Sequence, residues 1–375
     1  MISNDFNQLH PPLQAFIQDQ APFPLEFNSL ISEQDEMYLF ALENHKIPEK
    51  ARIRYYFNGR RIFDAVRQVV SWKFNSFNRL NSFLDFASGY GRFTRFLIQE
   101  IPPQKVWISD IYRDAVKFQQ EQFGVNGIVS TASPAEYSVN QQFDCILACS
   151  FFSHLPEQTF TLWMQKLYHL ISPEGILLFS VHDRDLLPPE SKIKSDEILF
   201  IPQSESYSLD VNEYGTSYVG EEFVRQTVQN VSEGQAICER IPQGICRYQD
   251  LYIVAKSPLP DFNQLNFSHH PFGRLEQINL TAEGELHIRG WVSEINPNSQ
   301  IEAILISING ELIQQVKPLP NSSADQTFSW STQINLPSLS PEDIILIKAI
   351  NTRSLEWVFE AATLEVLQAA SNEIR

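Results

Sequence analysis

The chain has 375 residues and carries Lys+Arg 28 against Asp+Glu 45, a formal net charge of −17. That length exceeds one ordinary domain and suggests two, each large enough to bury its own core, and a hydrophobic share of 43% describes a globular protein. A surface this negative repels a phosphate backbone, so no nucleic-acid partner is expected.

Residues 1–50 read as an N-terminal extension of mixed pattern, interrupted by prolines at 11, 12, 22 and 24. The opening residues Met-Ile-Ser-Asn-Asp-Phe-Asn-Gln lack a basic segment followed by an apolar core, so no secretory signal is expected. No apolar run approaches the roughly 20 residues of a membrane-spanning helix. No membrane span is expected, and the expected location is the cytoplasm. Cys145, Cys149, Cys238 and Cys246 form no CxxC pair and read as small buried apolar side chains, not as a disulfide framework or a metal site.

In chain order, Ile62, Ala65, Val66, Val69 and Val70 recur at helical spacing and predict a helix from about Gly59 to Trp72. From Phe83 the texture alternates. Phe83–Phe86, Val106–Ser109, Cys145–Ser150 and Ile176–Val181 read as buried strands, and residues 91–100, 112–122 and 157–171 as the helices between them. This order predicts an α/β domain over residues 51–257 with a doubly wound, mostly parallel sheet. Right-handed crossovers put the carboxyl ends of its strands on one edge. Residues 183–218 are polar and too long for a simple connection, which marks a lid or an insertion. Glu221–Asn230 reads as a helix, and strands follow near Ala236–Arg240 and Leu251–Lys256.

Residues 258–272, with three prolines, read as a linker. Beyond it the period becomes two. Leu286, Ile288, Gly290 and Val292 alternate with His287, Arg289 and Trp291; Phe328, Trp330, Thr332, Ile334 and Leu336 share another face, and Leu355, Trp357 and Phe359 a third. Asn309-Gly310 between two apolar runs is a hairpin signal. Residues 273–370 are therefore expected to form a smaller all-β antiparallel sandwich. Its tryptophans 291, 330 and 357 read as core side chains, with sugar-stacking platforms as the alternative.

The stretch Phe83-Leu84-Asp85-Phe86-Ala87-Ser88-Gly89-Tyr90-Gly91 carries chemistry: a buried strand reaches an acid, then a turn of small residues that lets a ligand approach the backbone. A helix starting near Gly91 would present free N–H groups to a carboxylate. Asp110, at the end of the next strand, is placed to accept both hydroxyls of a ribose. The turn lacks the third glycine of a dinucleotide fingerprint, which disfavours a nicotinamide oxidoreductase and favours a nucleoside without phosphates.

Asp85 to Gly91 resembles the first motif of class I S-adenosylmethionine-dependent methyltransferases, D/E-x-G-x-G-x-G, with Ala87 where the family has its first glycine. The resemblance implies that Asp85, Ala87, Ser88, Gly89 and Gly91 bind S-adenosyl-L-methionine, with its methionine portion near Asp85, Ala87 and Gly89. It implies that Asp110 holds the ribose, that Ile111 packs on adenine, and that Ser133 in Thr131–Glu136 serves the adenine amino group. Phe143–Ser150 resembles the fourth motif, placing Ser150 at the cofactor site, and Leu170–Phe179 resembles the L-x-P-G-G turn with Glu174 replacing a glycine. The segments Phe152–Glu157, Ser180–Asp183, Glu213–Tyr218 and Gln249–Leu251 look like a bacterial branch found beside or fused to glycosyltransferases.

His154 and His182 fall just beyond the fourth and fifth strands, where either could take a proton from an acceptor hydroxyl, or could instead orient the backbone. The expected activity is methyl transfer to a small or glycan-type acceptor at oxygen, with possible association with glycosyltransferases. A non-catalytic methyltransferase-like protein whose sandwich docks glycans or protein is the alternative.

Overall fold

The computed structural model describes residues 9–203, 206, 208–281, 284–296, 299–321, 326–335 and 339–367. Residues 1–8, read for a leader, and Leu336 lie outside them. The chain divides into two compact units. One comprises Asn28–Phe40 and Asn58–Phe267; the other gathers Met1–Phe27, Ala41–Phe57 and Ser268–Arg375. The helices α1 (Pro11–Gln20), α2 (Glu36–His45) and α3 (Pro48–Phe74) precede the first strand. Helix α3 starts a full three turns before the expected Gly59. Its first residue is a proline, which suits a helix start, and Ala51, Ile53, Tyr55 and Tyr56 continue its buried face.

In the larger unit, β1 (Phe83–Phe86), β2 (Val106–Asp110), β3 (Asn126–Val129), β4 (Phe143–Ala148) and β5 (Ile171–Asp183) pair in parallel, in the order β3-β2-β1-β4-β5. Every residue of β1 is buried, as expected for a strand covered on both faces. Between the strands lie α4 (Thr94–Leu97), α5 (Arg113–Phe123) and α6 (Glu157–Leu170). Phe160, Trp163, Met164 and Leu167 of α6 recur at i, i+3, i+4 and i+7 and join Leu84, Phe86, Ile146 and Phe179 in one core cluster. The strand order reverses between β1 and β4, which opens a crevice at the carboxyl ends of these two strands.

Residues 183–218 contain two strands, β6 (Ile198–Ile201) and β7 (Thr216–Val219). β7 pairs in parallel with the last residues of β5, His182 opposite Tyr218, and β6 pairs antiparallel with β7. After α7 (Glu221–Val231), the hairpin β8 (Ile237–Ile245) and β9 (Gln249–Ala255) completes the sheet. β9 runs antiparallel to β5 with Asp250 opposite Val181, so the β8–β9 turn sits at the carboxyl end of β5.

The smaller unit holds two four-stranded antiparallel sheets. One orders β10 (Phe272–Leu280), β11 (Glu285–Ser293), β15 (Thr327–Asn335) and β14 (Leu319–Pro320); the other orders β13 (Glu311–Val316), β12 (Ile301–Ile308), β16 (Ile344–Asn351) and β17 (Glu356–Thr363). Asn309 and Gly310 both have positive φ and join Ile308 to Glu311, the two-residue turn that suits the strands' twist. Leu286, Ile288 and Val292 are buried while Arg289 is exposed, so the period of two marks the inner face. Trp330 meets Phe359 of the facing sheet with ring centroids 5.3 Å apart, and Trp357 is also buried. Helix α1 packs Phe16 and Ile17 into this unit, where Lys348 bridges Asp19 and Glu356.

Candidate cofactor and acceptor site

Beyond β1 the chain turns through Ala87 (φ +56°), Gly89 (φ +54°) and Gly91 (φ +81°). The left-handed conformation costs a residue with a side chain about 1 kcal/mol, and Ala87 bears that strain. At Gly91 a Cβ would come 2.3 Å from the Phe123 ring, so glycine is required there twice over. Gly59 of α3 has a similar role, since a Cβ on it would lie 2.2 Å from the Arg92 carbonyl oxygen. The three positive φ values delay the helix: α4 spans only Thr94–Leu97, and its N-cap is Phe93. The helix start expected at Gly91, with N–H groups open to a carboxylate, is therefore not built.

What the turn does present is Asp110. The Gly89 N–H donates to Asp110 Oδ2 at 2.8 Å, and the Tyr112 N–H donates to Oδ1 at 2.9 Å. One carboxylate thus joins the β1 turn to the start of α5, while carboxylate oxygens keep lone pairs for further donors. Asp110 is buried, and burial raises its pKa; the Tyr112, Gly89 and Ile111 N–H groups oppose that, and the Glu36 carboxylate adds to it. Ile111 beside it is 38% exposed, an apolar side chain facing outward at the strand end. Ser88 donates its N–H to the Ser109 carbonyl at 3.1 Å, and its hydroxyl accepts from Gln119 Nε2 at 2.8 Å. Ser133 lies half-buried in the loop after β3, its carbonyl accepting from the Thr131 hydroxyl at 2.8 Å. The Ser130 N–H, donating to the Asp110 carbonyl at 2.8 Å, ties the start of that loop to the end of β2.

Asp85 is buried below the turn and accepts from the Thr94 hydroxyl at 2.7 Å. Burial pushes its carboxyl up to about 7; Asp110 adds to the rise, and Thr94 and Arg92 work against it. The segment 28–40 is fixed beside the turn. Arg95, fully buried, donates Nη1 to the carbonyls of Asn28 (2.7 Å) and Leu30 (3.1 Å), and the Tyr90 hydroxyl donates to Gln34 at 2.9 Å. A recess opens on the α5 side of the turn between Gln34, Tyr90, Asp114, Lys117 and Phe118.

A second constellation forms where β4, β5 and β9 meet. Ser150, also at positive φ, donates its N–H to Ser180 Oγ at 2.7 Å. The hydroxyls of Ser150 and Ser180 both donate to Gln249 Oε1, at 3.0 and 2.7 Å. The Gln249 amide then donates to His182 Nε2 at 3.1 Å, so the Nε2 lone pair of His182 is used inside the protein. Burial lowers the His182 pKa to about 4, nearby His154 lowers it further, and the Ser217 backbone opposes this. Asp183 does not assist His182; its carboxylate accepts from Arg240 at 2.8 Å and from the Asp185 N–H at 2.7 Å. Arg240 also meets Asp250 at 2.6 Å and Glu221; burial works to lower its pKa, and Asp250 and Glu221 outweigh burial and raise it.

His154 lies beside this network and meets the inserted segment. Its Nδ1 lies 2.7 Å from the Gly215 carbonyl, its ring stacks on Tyr214 with centroids 4.7 Å apart, and the His182 ring is 6.2 Å away. Tyr218 and half-exposed Tyr248 pack on His182 at 5.4 and 5.3 Å. The structure therefore brings Asp85, Ala87, Ser88, Gly89, Gly91 and Asp110 together at the β1–β2 edge, and Ser150, His154 and His182 together at the β4–β5 edge.

Sequence reasoning missed the roles of Gln249 and Arg240. Arg240 gives no sequence signal, because its carboxylates come from three separate elements. Gln249 lies in a segment singled out only by resemblance. Among the described residues no group of three His, Cys, Asp or Glu side chains could hold a metal ion, and no helix is long and apolar enough to cross a membrane.

Residues 84–177 match a family model described as a methyltransferase domain. No curated protein matches the chain in sequence. Among solved structures, the chain is similar to an S-adenosylmethionine-dependent methyltransferase from Clostridium acetobutylicum (13% identity, 53% of this chain and 92% of that one, TM-score 0.39). It is also similar to an O-methyltransferase family 2 protein from Planctomyces limnophilus (17%, 65% and 66%, TM-score 0.40) and to DesVI of Streptomyces venezuelae (11%, 61% and 100%, TM-score 0.40). The larger unit thus carries a methyltransferase-like, Rossmann-like sheet, and the smaller unit an antiparallel sandwich.

Proposed function

We propose that the chain is an S-adenosyl-L-methionine-dependent methyltransferase acting at an oxygen of a small or glycan-type acceptor. The observation that carries this reading is the Asp110 carboxylate, tied to Gly89 of the β1 turn at the switch point of a sheet whose first strands match a methyltransferase model. The residues fit the group. Asp110 retains acceptor capacity for ribose hydroxyls, exposed Ile111 offers an apolar face to adenine, and space is open where a Cβ on Gly89 would point. In this reading the Ser133 loop meets the adenine edge, and Asp85, Ala87, Ser88, Gly89, Gly91 and Ser150 enclose the methionine portion.

When bound, that group supplies an electrophilic methyl on a positively charged sulfur. The protein's own contribution is alignment and removal of the acceptor's proton. His154 suits the second task better than His182. A carbonyl only accepts, so the contact with Gly215 requires a proton on His154 Nδ1 and places the ring's lone pair on Nε2. His182 already spends its Nε2 lone pair on Gln249. In this assignment the acceptor hydroxyl gives its proton to His154 Nε2 as its oxygen gains the methyl group.

Calorimetric titration with S-adenosyl-L-methionine tests the proposal; absence of binding heat at millimolar ligand would leave the alternative, a methyltransferase-like binding protein. The acceptor class is tested by mass spectrometry of cell-surface glycans with and without the protein, where a loss of about 14 Da per site, one CH2, is the expected difference. The location in the cytoplasm and an association with glycosyltransferases belong to the same proposal.

A further inference from the structure

The inserted segment between β5 and α7 does more than cover the histidines. Gly215 and His154 bond reciprocally: the Gly215 N–H donates to the His154 carbonyl at 2.9 Å, and the His154 ring faces the Gly215 carbonyl through Nδ1. The Ser217 hydroxyl donates to the Leu155 carbonyl at 2.5 Å, so the segment is fastened on both sides of the histidine's peptide link. The next residue, Tyr218, pairs with His182 as β7 joins β5, and His182 is held from the far side by Gln249. Gln249 is anchored in turn by Ser150 and Ser180.

From these contacts we infer that Gly215 and Gln249 are positioning residues that fix the tautomer of His154. Seated, the Gly215 carbonyl holds the proton on Nδ1 and keeps the lone pair on Nε2, the form a proton acceptor needs there. A free histidine side chain prefers the opposite tautomer, so the segment reverses the ring's own preference. Gln249 acts at a distance. By donating to His182 Nε2 it keeps the His182 proton on Nδ1 and braces the end of β5 against which β7 pairs. The catalytic meaning of this arrangement rests on the proposed methyl transfer; the tautomer itself does not.

The test is nitrogen-15 NMR of the full chain with labelled histidines, reading each ring's tautomer through long-range proton couplings and assigning His154 by its loss in His154→Asn. The expected result is one neutral His154 species with the proton on Nδ1. Gly215→Ala should convert it to a mixture, because the added Cβ would lie 2.3 Å from the Ile201 carbonyl oxygen and displace the turn. Gln249→Leu should do the same and also release His182 to the other tautomer. Tyr214→Leu, which removes the stacked ring and keeps the carbonyl, should leave His154 unchanged.

A wild-type His154 protonated on Nε2 overturns the inference, and so does a folded Gly215→Ala chain with the tautomer intact. The wild-type spectrum decides even if a variant fails to fold. Calorimetry on the same samples separates the two ideas, since missing cofactor binding beside a fixed Nδ1–H tautomer defeats only the methyltransferase reading.

Discussion

Gly89 and Asp110 are joined by a 2.8 Å hydrogen bond from backbone N–H to carboxylate, linking the turn after β1 to the end of β2. A side chain that braces the turn and also faces the proposed ribose site has two duties, and substitution separates them. Asp110→Ala should weaken S-adenosyl-L-methionine binding by roughly 10- to 100-fold, the scale of one or two charge-assisted hydrogen bonds, measured by calorimetry. Asp110→Asn keeps one oxygen and should fall between wild type and alanine. Equal affinity in all three chains would place the ribose elsewhere.

Ala87 sits at φ +56° where glycine would sit without strain. Ala87→Gly is expected to raise stability by about 1 kcal/mol, seen as a higher denaturant midpoint at unchanged slope. Ala87→Val should lower it by more, because a β-branched side chain tolerates positive φ least. A destabilised Ala87→Gly chain would mean that the methyl group contributes packing that outweighs the strain.

Asp85 and His182 give stability opposite slopes with pH. His182 titrates near 4 when folded, below its usual 6.5, so the unfolded chain binds more protons between these values. Its contribution is complete above about pH 6.5 and lost as pH falls toward 4, by roughly 3 kcal/mol in all. Asp85, raised to about 7, works the other way: its contribution is complete below the usual carboxylate value and lost as pH rises through 7. Wild type should therefore change little between pH 4.5 and 6.5. Asp85→Asn should expose the rising histidine slope and His182→Gln the falling carboxylate slope, both readable from denaturant midpoints across pH. Parallel profiles for all three chains would contradict both assignments.

Arg240 is the shared partner of Asp183, Glu221 and Asp250, and the Asp250 side chain is 3% exposed. Arg240→Ala should destabilise the chain by about 3 kcal/mol or more, because it leaves a buried carboxylate without its cation. Asp250→Asn, which removes one charge and leaves the guanidinium two partners, should cost less. Thermal denaturation at neutral pH compares the two; the reverse order would mean that the arginine is held mainly by its packing.

Much of the sheet was legible because buried parallel strands are short apolar runs with small or acidic residues at their ends, as in Phe83–Phe86 and Cys145–Ser150. β3 was not, since Asn126-Gly127-Ile128-Val129 is only half-buried and offers no such run. β7 was not, because Thr216–Val219 owes its strand form to the exposed end of β5 and not to its own pattern. The meeting of Asp110 with the small-residue turn follows from spacing along the chain and lies within reach of a local reading. The partners of His154 and His182 could not be read in this way. One depends on a carbonyl 61 residues away and the other on an amide 67 residues away, and neither partner's type signals the contact.

The chain passes between its two compact units at residues 27–28, 40–41, 57–58 and 267–268. A single cut after Phe267 therefore does not release the methyltransferase-like part intact. It strands α1 and the first turns of α3, whose Phe16, Ile17, Tyr55 and Phe57 lose the β-strands grouped with them and become sticky. Cofactor binding is therefore better sought in the full chain, and amputation of the sandwich alone would report on aggregation before it reported on function.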